Sequence, residues 1–138
     1  MSEQENLEIV KQFCAAFQRG DTQSALNTLS DDVDFRHPMS TAIWPWAGKR
    51  HGRTQLAESF AGLAEVAETE QFEPREFIAQ GNKVVVLAFE RFRIKATGRV
   101  VENDYVIVFT LSEDKIGQFC VDEDTAPIIA AIRGQGAI

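Results

Sequence analysis

Lys83-Val84-Val85-Val86-Leu87-Ala88-Phe89-Glu90-Arg91-Phe92-Arg93-Ile94-Lys95 is the stretch on which the reading of this chain turns. It alternates with period two. One row is Val84, Val86, Ala88, Glu90, Phe92 and Ile94; the other is Val85, Leu87, Phe89, Arg91 and Arg93. Such alternation marks a strand, whose successive side chains point to opposite faces. The second row turns basic at its end and reaches solvent there. The first row is apolar except for one carboxylate. A bare buried charge is very costly, so Glu90 must be desolvated, hydrogen-bonded or open to a cavity. Two readings stay open: a pocket-lining acid, or half of an ion pair with an arginine near a strand end.

Working outward, the segments around this strand are also sheet. Phe72 to Gln80 is a broken strand, followed by a Gly81-Asn82 turn. Thr97-Gly98 turns the chain into a strand from Arg99 to Leu111, and Ser112-Glu113-Asp114 into a last one from Lys115 to Glu123. Upstream the period changes. Leu7, Val10, Phe13 or Cys14, and Phe17 recur at helical spacing, with Gly20 as the stop. Asp21 caps a short second helix carrying Ala25, Leu26 and Leu29, which Ser30-Asp31-Asp32 breaks. Val33 to His37 is a short strand, residues 38–52 are a loop rich in aromatics, and Leu56, Phe60, Leu63 and Val66 or Ala67 mark a third helix. Thr125 to Ile132 forms a terminal helical turn. Helices leading into an antiparallel meander describe one α+β domain over residues 1–138. The strand from Arg99 places Val101, Tyr105, Ile107, Phe109 and Leu111 in one row and Val106 and Val108 in the other. The sheet therefore has two apolar faces. Helices cover one, and a partner subunit in a homodimer is the simplest cover for the other.

Composition narrows the functional class. Hydrophobic residues make up 44% and charged residues 25%, as in ordinary globular domains. A net charge of −7 argues against general nucleic-acid binding and against electrostatic attachment to anionic membranes. The acidic start Met1-Ser2-Glu3-Gln4-Glu5 has no signal-peptide pattern, and no apolar run approaches the ~20 residues of a membrane span. Cys14 and Cys120 lack metal-ligand spacing and read as buried thiols, which points to a reducing cytoplasm. Two histidines without HxH or HExxH spacing make a zinc site a poor fit.

Residues 44–53 (Trp44-Pro45-Trp46-Ala47-Gly48-Lys49-Arg50-His51-Gly52-Arg53) resemble the loop before the third helix in SnoaL-like, ketosteroid-isomerase-related proteins of the NTF2-like superfamily. Thr97-Gly98-Arg99, Asn103, Tyr105-Val106, Phe109 and Asp114-Lys115-Ile116 resemble their central hairpin and last turn, and Asp124-Thr125 the acidic end of their final strand. The resemblance runs from about Leu7 to Ile132. It implies a cystatin-like cone, with N-terminal helices packed on a strongly curved antiparallel sheet. It also implies a pocket in that cone, but folds of this kind host many chemistries. In ketosteroid isomerases the base is an aspartate, and the oxyanion hole is a tyrosine with a protonated aspartate. By position these fall on His37, Phe13 and the neighbourhood of Val106. The phenol and the second acid are missing there, so steroid isomerisation is disfavoured. A glutamate position of the superfamily falls on Val121, leaving Glu90 and Glu123 as cavity acids.

The resulting expectation is a cofactor-independent enzyme of isomerase, cyclase or hydratase type, acting on a small apolar or partly polar molecule. His37 and Glu90 would move the proton. Phe13, Phe17, Trp44, Trp46, Phe60, Phe92, Asn103, Val106, Val121 and Glu123 would line the pocket. Trp44 and Trp46 form either an aromatic lid or a plug, and the Asn103 amide either orients a ligand or bonds a neighbouring strand. His51, in a basic stretch, is solvent-exposed. A non-catalytic binding or assembly module is the alternative. A limonene-type epoxide hydrolase is a third option, which would need Arg91 or Arg93 as its cation although they lie opposite the Glu90 row.

Overall fold

The computed structural model describes residues 2–135. Its first helix, α1 (Glu3–Gln18), opens with Ser2 and Glu5 capping each other, each side chain accepting the other's backbone N–H. Two of the donors a helix start leaves free are thereby satisfied. Gly20, at φ +71°, turns the chain out of the helix in a conformation that glycine adopts without cost. Asp21 then caps α2 (Thr22–Asn27) by accepting the Ser24 N–H at 3.1 Å.

The expected break at Ser30-Asp31-Asp32 is instead a bulge inside a longer strand, β1 (Leu29–His37). Pairing slips between Leu29 and Asp34, so these polar residues fall where the ladder is interrupted, while Val33 stays buried. The expected loop 38–52 likewise contains a short strand, β2 (Gly48–His51), antiparallel to β1. After α3 (Gly52–Val66) come β3 (Ala67–Gln80), β4 (Lys83–Ile94), β5 (Val100–Ser112) and β6 (Lys115–Asp122), then α4 (Ala126–Ile132). Strand β3 starts five residues before the expected Phe72 and is bulged twice. It lies at the edge of the sheet, where Pro74 costs little pairing.

The sheet has six strands in the order β2-β1-β6-β5-β4-β3. Neighbours are antiparallel except β1 and β6, which run parallel. The sheet is thus mixed, not antiparallel throughout. Parallel pairing requires a long connection, and α3 with the meander supplies it. Between Ser112 and Lys115, Glu113 and Asp114 both take positive φ, as a two-residue hairpin of this twist demands.

Val84, Val86, Ala88, Phe92 and Ile94 are all buried, so the row containing Glu90 does face the core. There it meets Val10, Phe13 and Cys14 of α1 and Leu56 of α3. A second cluster joins Met39, Trp44 and Phe92 to Ile128 and Ala131 of α4, which closes one end. The other face of the sheet holds Arg91, bonded to Glu70 at 2.8 Å and Glu102 at 3.0 Å, and Arg93, 3.3 Å from Glu70. On that same face Val85, Leu87, Phe89, Val106 and Val108 remain half-buried, and Ile78 is 53% exposed. No helix of the described residues is long and apolar enough to cross a membrane.

Candidate active site

Between the helices and the inner face of the sheet lies a cavity of about 130 Å³. An apolar cavity of ~150 Å³ accommodates benzene, so this space suits about one ring. Phe13 and Phe17 reach it from α1, His37 from the end of β1, Phe60 from α3, Glu90 and Phe92 from β4, Tyr105 from β5 and Val121 from β6. Trp44 and Trp46 also line it, stacked on each other with centroids 6.3 Å apart and planes 20° apart. They form a wall of the cavity and leave its interior open. Trp46 is seated on α3: its carbonyl accepts the Ser59 hydroxyl at 2.8 Å, and its ring lies where a Cβ at Gly62 would be, 2.6 Å from Cδ2. A glycine in mid-helix costs about 1 kcal/mol relative to alanine, and here it makes room for the indole.

The polar groups gather at one place. His37 Nε2 lies 2.6 Å from Glu123 Oε1, and His37 Nδ1 accepts the Met39 N–H at 3.1 Å. An accepting Nδ1 carries no proton, so the ring proton sits on Nε2 and is directed at Glu123. Glu123 in turn is hydrogen-bonded to Glu90. Burial, and then the Glu123 carboxylate beside it, push the Glu90 carboxyl far above its ordinary range. Burial also works to raise Glu123, but the hydrogen bonds from His37 and Glu90 outweigh it and hold that carboxyl below its ordinary range. Two carboxyls in contact in an apolar site share one proton, because both cannot ionise. The pair therefore carries one proton between its two carboxyls, and the opposed directions favour Glu90 as its holder. Among the described residues no N–H or hydroxyl donates to the buried Oε2 atom of either, so nothing competes with the proton the pair shares.

Tyr105 stands next to this pair. Its hydroxyl has no hydrogen-bond partner among the described residues. Burial, then the charges of Glu90 and Glu123, raise its pKa well above the usual value, so it remains a neutral donor. It lines the cavity. Tyr105 is a site residue beyond those expected from the sequence, although the sequence carries a signal for it. It is the one tyrosine in a chain with ten phenylalanines, placed in the inward row of its strand between Asn103 and the apolar Ile107, Phe109 and Leu111.

Other placements differ from expectation. Val106 lies on the opposite face of β5, since one residue along a strand reverses the side chain, and it does not line the cavity. Asn103 also lies outside: its amide donates to the Asp124 carbonyl at 3.1 Å, which satisfies it structurally. Glu123 sits behind Glu90 instead of lining the cavity directly. Among the described residues no arginine lines the cavity, and Arg91 and Arg93 pair across the outer face. His51 is exposed and pairs with Asp34 at 2.7 Å. Burial pushes the Cys14 thiol up to about 12, so it stays protonated and unreactive. Among the described residues no group of His, Cys, Asp and Glu is arranged to hold a metal ion.

Solved structures share this architecture. An NTF2-like protein from Burkholderia xenovorans LB400 is 37% identical, with a TM-score of 0.83 over 95% of this chain and 98% of that one. An NTF2-like protein of unknown function from Burkholderia pseudomallei K96243 is 28% identical, with a TM-score of 0.86 over 96% and 98%. TerC, co-crystallised with polyporic acid, is 25% identical, with a TM-score of 0.84 over 94% and 98%. No curated protein matches the chain. The SnoaL-like domain profile matches residues 10–119, and with that match spanning most of its length the chain belongs to the SnoaL-like, NTF2-like family.

Proposed function

We propose that the protein is a cofactor-independent enzyme that moves a proton on a small, mostly apolar molecule bearing a carbonyl, an isomerase-type reaction. One observation carries this reading: a carboxyl pair sharing one proton and a Tyr105 hydroxyl without a partner meet at the wall of an aromatic cavity. The pair bears one negative charge. Accepting a proton makes it neutral, which burial favours, so it is a stronger base than a carboxylate in water. In the step envisaged, the Glu90 proton passes to Glu123. Glu90, now the carboxylate facing the cavity, removes a hydrogen from the carbon beside the carbonyl. The C–H electron pair moves into the new enolate, whose oxygen accepts from Tyr105. Glu90 then returns the proton to a second carbon. His37 also lines the cavity, and through Nε2 it positions Glu123; in this step the carboxyl pair moves the proton, where the sequence alone suggests His37 and Glu90 together.

The similarity to TerC, crystallised with polyporic acid, supports reading the cavity as a ligand site. Its size supports a single ring rather than a four-ring steroid. The half-buried apolar face formed by Val85, Leu87, Phe89, Val106 and Val108 supports a homodimer. The test of the reaction is the conversion of 3-cyclohexenone to its conjugated isomer in D₂O, followed by ultraviolet absorbance and deuterium incorporation. Turnover above buffer that is lost in both Glu90→Gln and Tyr105→Phe is expected. Rates equal to buffer, or unchanged in the two variants, would overturn the proposal.

A further inference from the structure

We propose that the substrate has two parts: a ring that enters the inner cavity, and an uncharged hydrogen-bonding tail that remains in a second, outer recess. This rests on reading the inner cavity as the reaction site. The outer recess measures about 340 Å³ and lies among the α1–α2 junction, the end of α3 and the bulged start of β3. Phe17, Phe60 and Phe72 line both spaces. Phe17 meets Phe60 edge to face at 5.7 Å and Phe72 at 5.4 Å. The partition is thus built of three rings packed edge to face. Phe72 is also the cross-strand partner of Glu90 and packs 6.4 Å from Tyr105. A molecule passing these rings arrives at the carboxyl pair.

The two spaces differ in chemistry. The inner one is walled by aromatic rings, whereas the outer one carries Gln18, Thr22 and Gln71. Gln18 uses its amide N–H on the Phe72 carbonyl at 3.0 Å, while its own carbonyl oxygen and the Thr22 hydroxyl have no partner among the described residues. The recess's one carboxylate, Glu70, is already engaged by Arg91 and Arg93. Neutral hydrogen-bonding groups are therefore what the recess offers a tail, with no free charge to pair with an ionic one.

The test compares phenol, a neutral ring hydroxyl resembling an enol, with 4-(2-hydroxyethoxy)phenol, which adds an uncharged tail. Binding is followed by the fluorescence of Trp44 in a Trp46→Phe background, where it is the sole tryptophan. The tailed compound should bind about tenfold more tightly, the gain of one or two net hydrogen bonds. Ala64→Phe, at an exposed position lining the recess, should remove that advantage and leave phenol affinity unchanged, with melting curves verifying the fold. Equal affinity for the two compounds, an advantage that survives Ala64→Phe, or no Trp44 response to either would overturn the two-part substrate. The cyclohexenone assay judges the proton-transfer reading separately, since that ring needs no tail.

Discussion

Burial and the Glu123 carboxylate push the Glu90 carboxyl above its ordinary range, and Arg91 and Arg93 are engaged across the outer face, which favours the pocket-lining reading of Glu90 over the ion-pair one. The sign of the linkage follows. A carboxyl whose folded pKa is raised above its ordinary 4.5 contributes fully below that pH, and its contribution falls as pH rises towards the folded value. Glu90→Gln keeps the shape and removes the proton uptake. The variant should match wild type near pH 4 and become the more stable protein by pH 8, by on the order of 1–3 kcal/mol. Thermal melts across pH measure this; a variant less stable than wild type at pH 8 would show that Glu90 is ionised and paired. Tyr105→Phe removes a hydroxyl that bonds nothing, so its melting temperature should stay within a degree or two, because no partner is left unsatisfied. Any proton-transfer activity should fall roughly 10²–10³-fold through loss of an oxyanion donor. A large loss of stability with activity retained would contradict both roles.

At the scale of elements, α3 and the aromatic loop depend on each other through Gly62 and Ser59. A methyl at position 62 would lie 2.6 Å from Trp46 Cδ2 and 2.7 Å from Cε3, and the indole is a rigid neighbour. Helix propensity alone predicts that Gly62→Ala stabilises by up to about 1 kcal/mol. Overpacking, at about 1–3 kcal/mol, should win and lower the melting temperature. The same change should shift the tryptophan emission, because Trp46 must leave its seat beside Trp44. An unchanged spectrum with a higher melting temperature would show that the loop yields freely. The helices and the long strands β4, β5 and β6 were legible because their apolar residues repeat at fixed periods. Strand β2 is not: its four residues, Gly48 to His51, carry no apolar alternation and are joined to β1 by the backbone ladder and the exposed His51–Asp34 contact. The bulge in β1 reads as a break in the sequence because Ser30, Asp31 and Asp32 have turn chemistry, and pairing with β6 on either side of them keeps the strand in the sheet.

For the whole molecule, the helices and α4 cover the inner face of the sheet and leave the outer one half-covered. Its apolar strip is rimmed by ion pairs, Arg91 with Glu102 and Arg75 with Asp104. Two copies packed sheet to sheet would bury this strip. Light scattering at micromolar concentration should give a mass near twice the 15.4 kDa chain. A mass near one chain would leave the strip exposed and remove the dimer reading.

Period-two and helical patterning in the sequence sufficed for the α+β class, the order of the main elements and the inward direction of Glu90. These follow from local geometry, which alternating side chains reveal without knowledge of the partner. The site itself required the tertiary structure. His37, Glu90, Tyr105 and Glu123 stand on four different strands or their ends, and no spacing along the chain encodes that they meet. Whether Glu90 is acid or anion depends on what lies within a few ångströms across the sheet. That neighbour, Glu123, is 33 positions away in the sequence and is adjacent only once β4, β5 and β6 have paired.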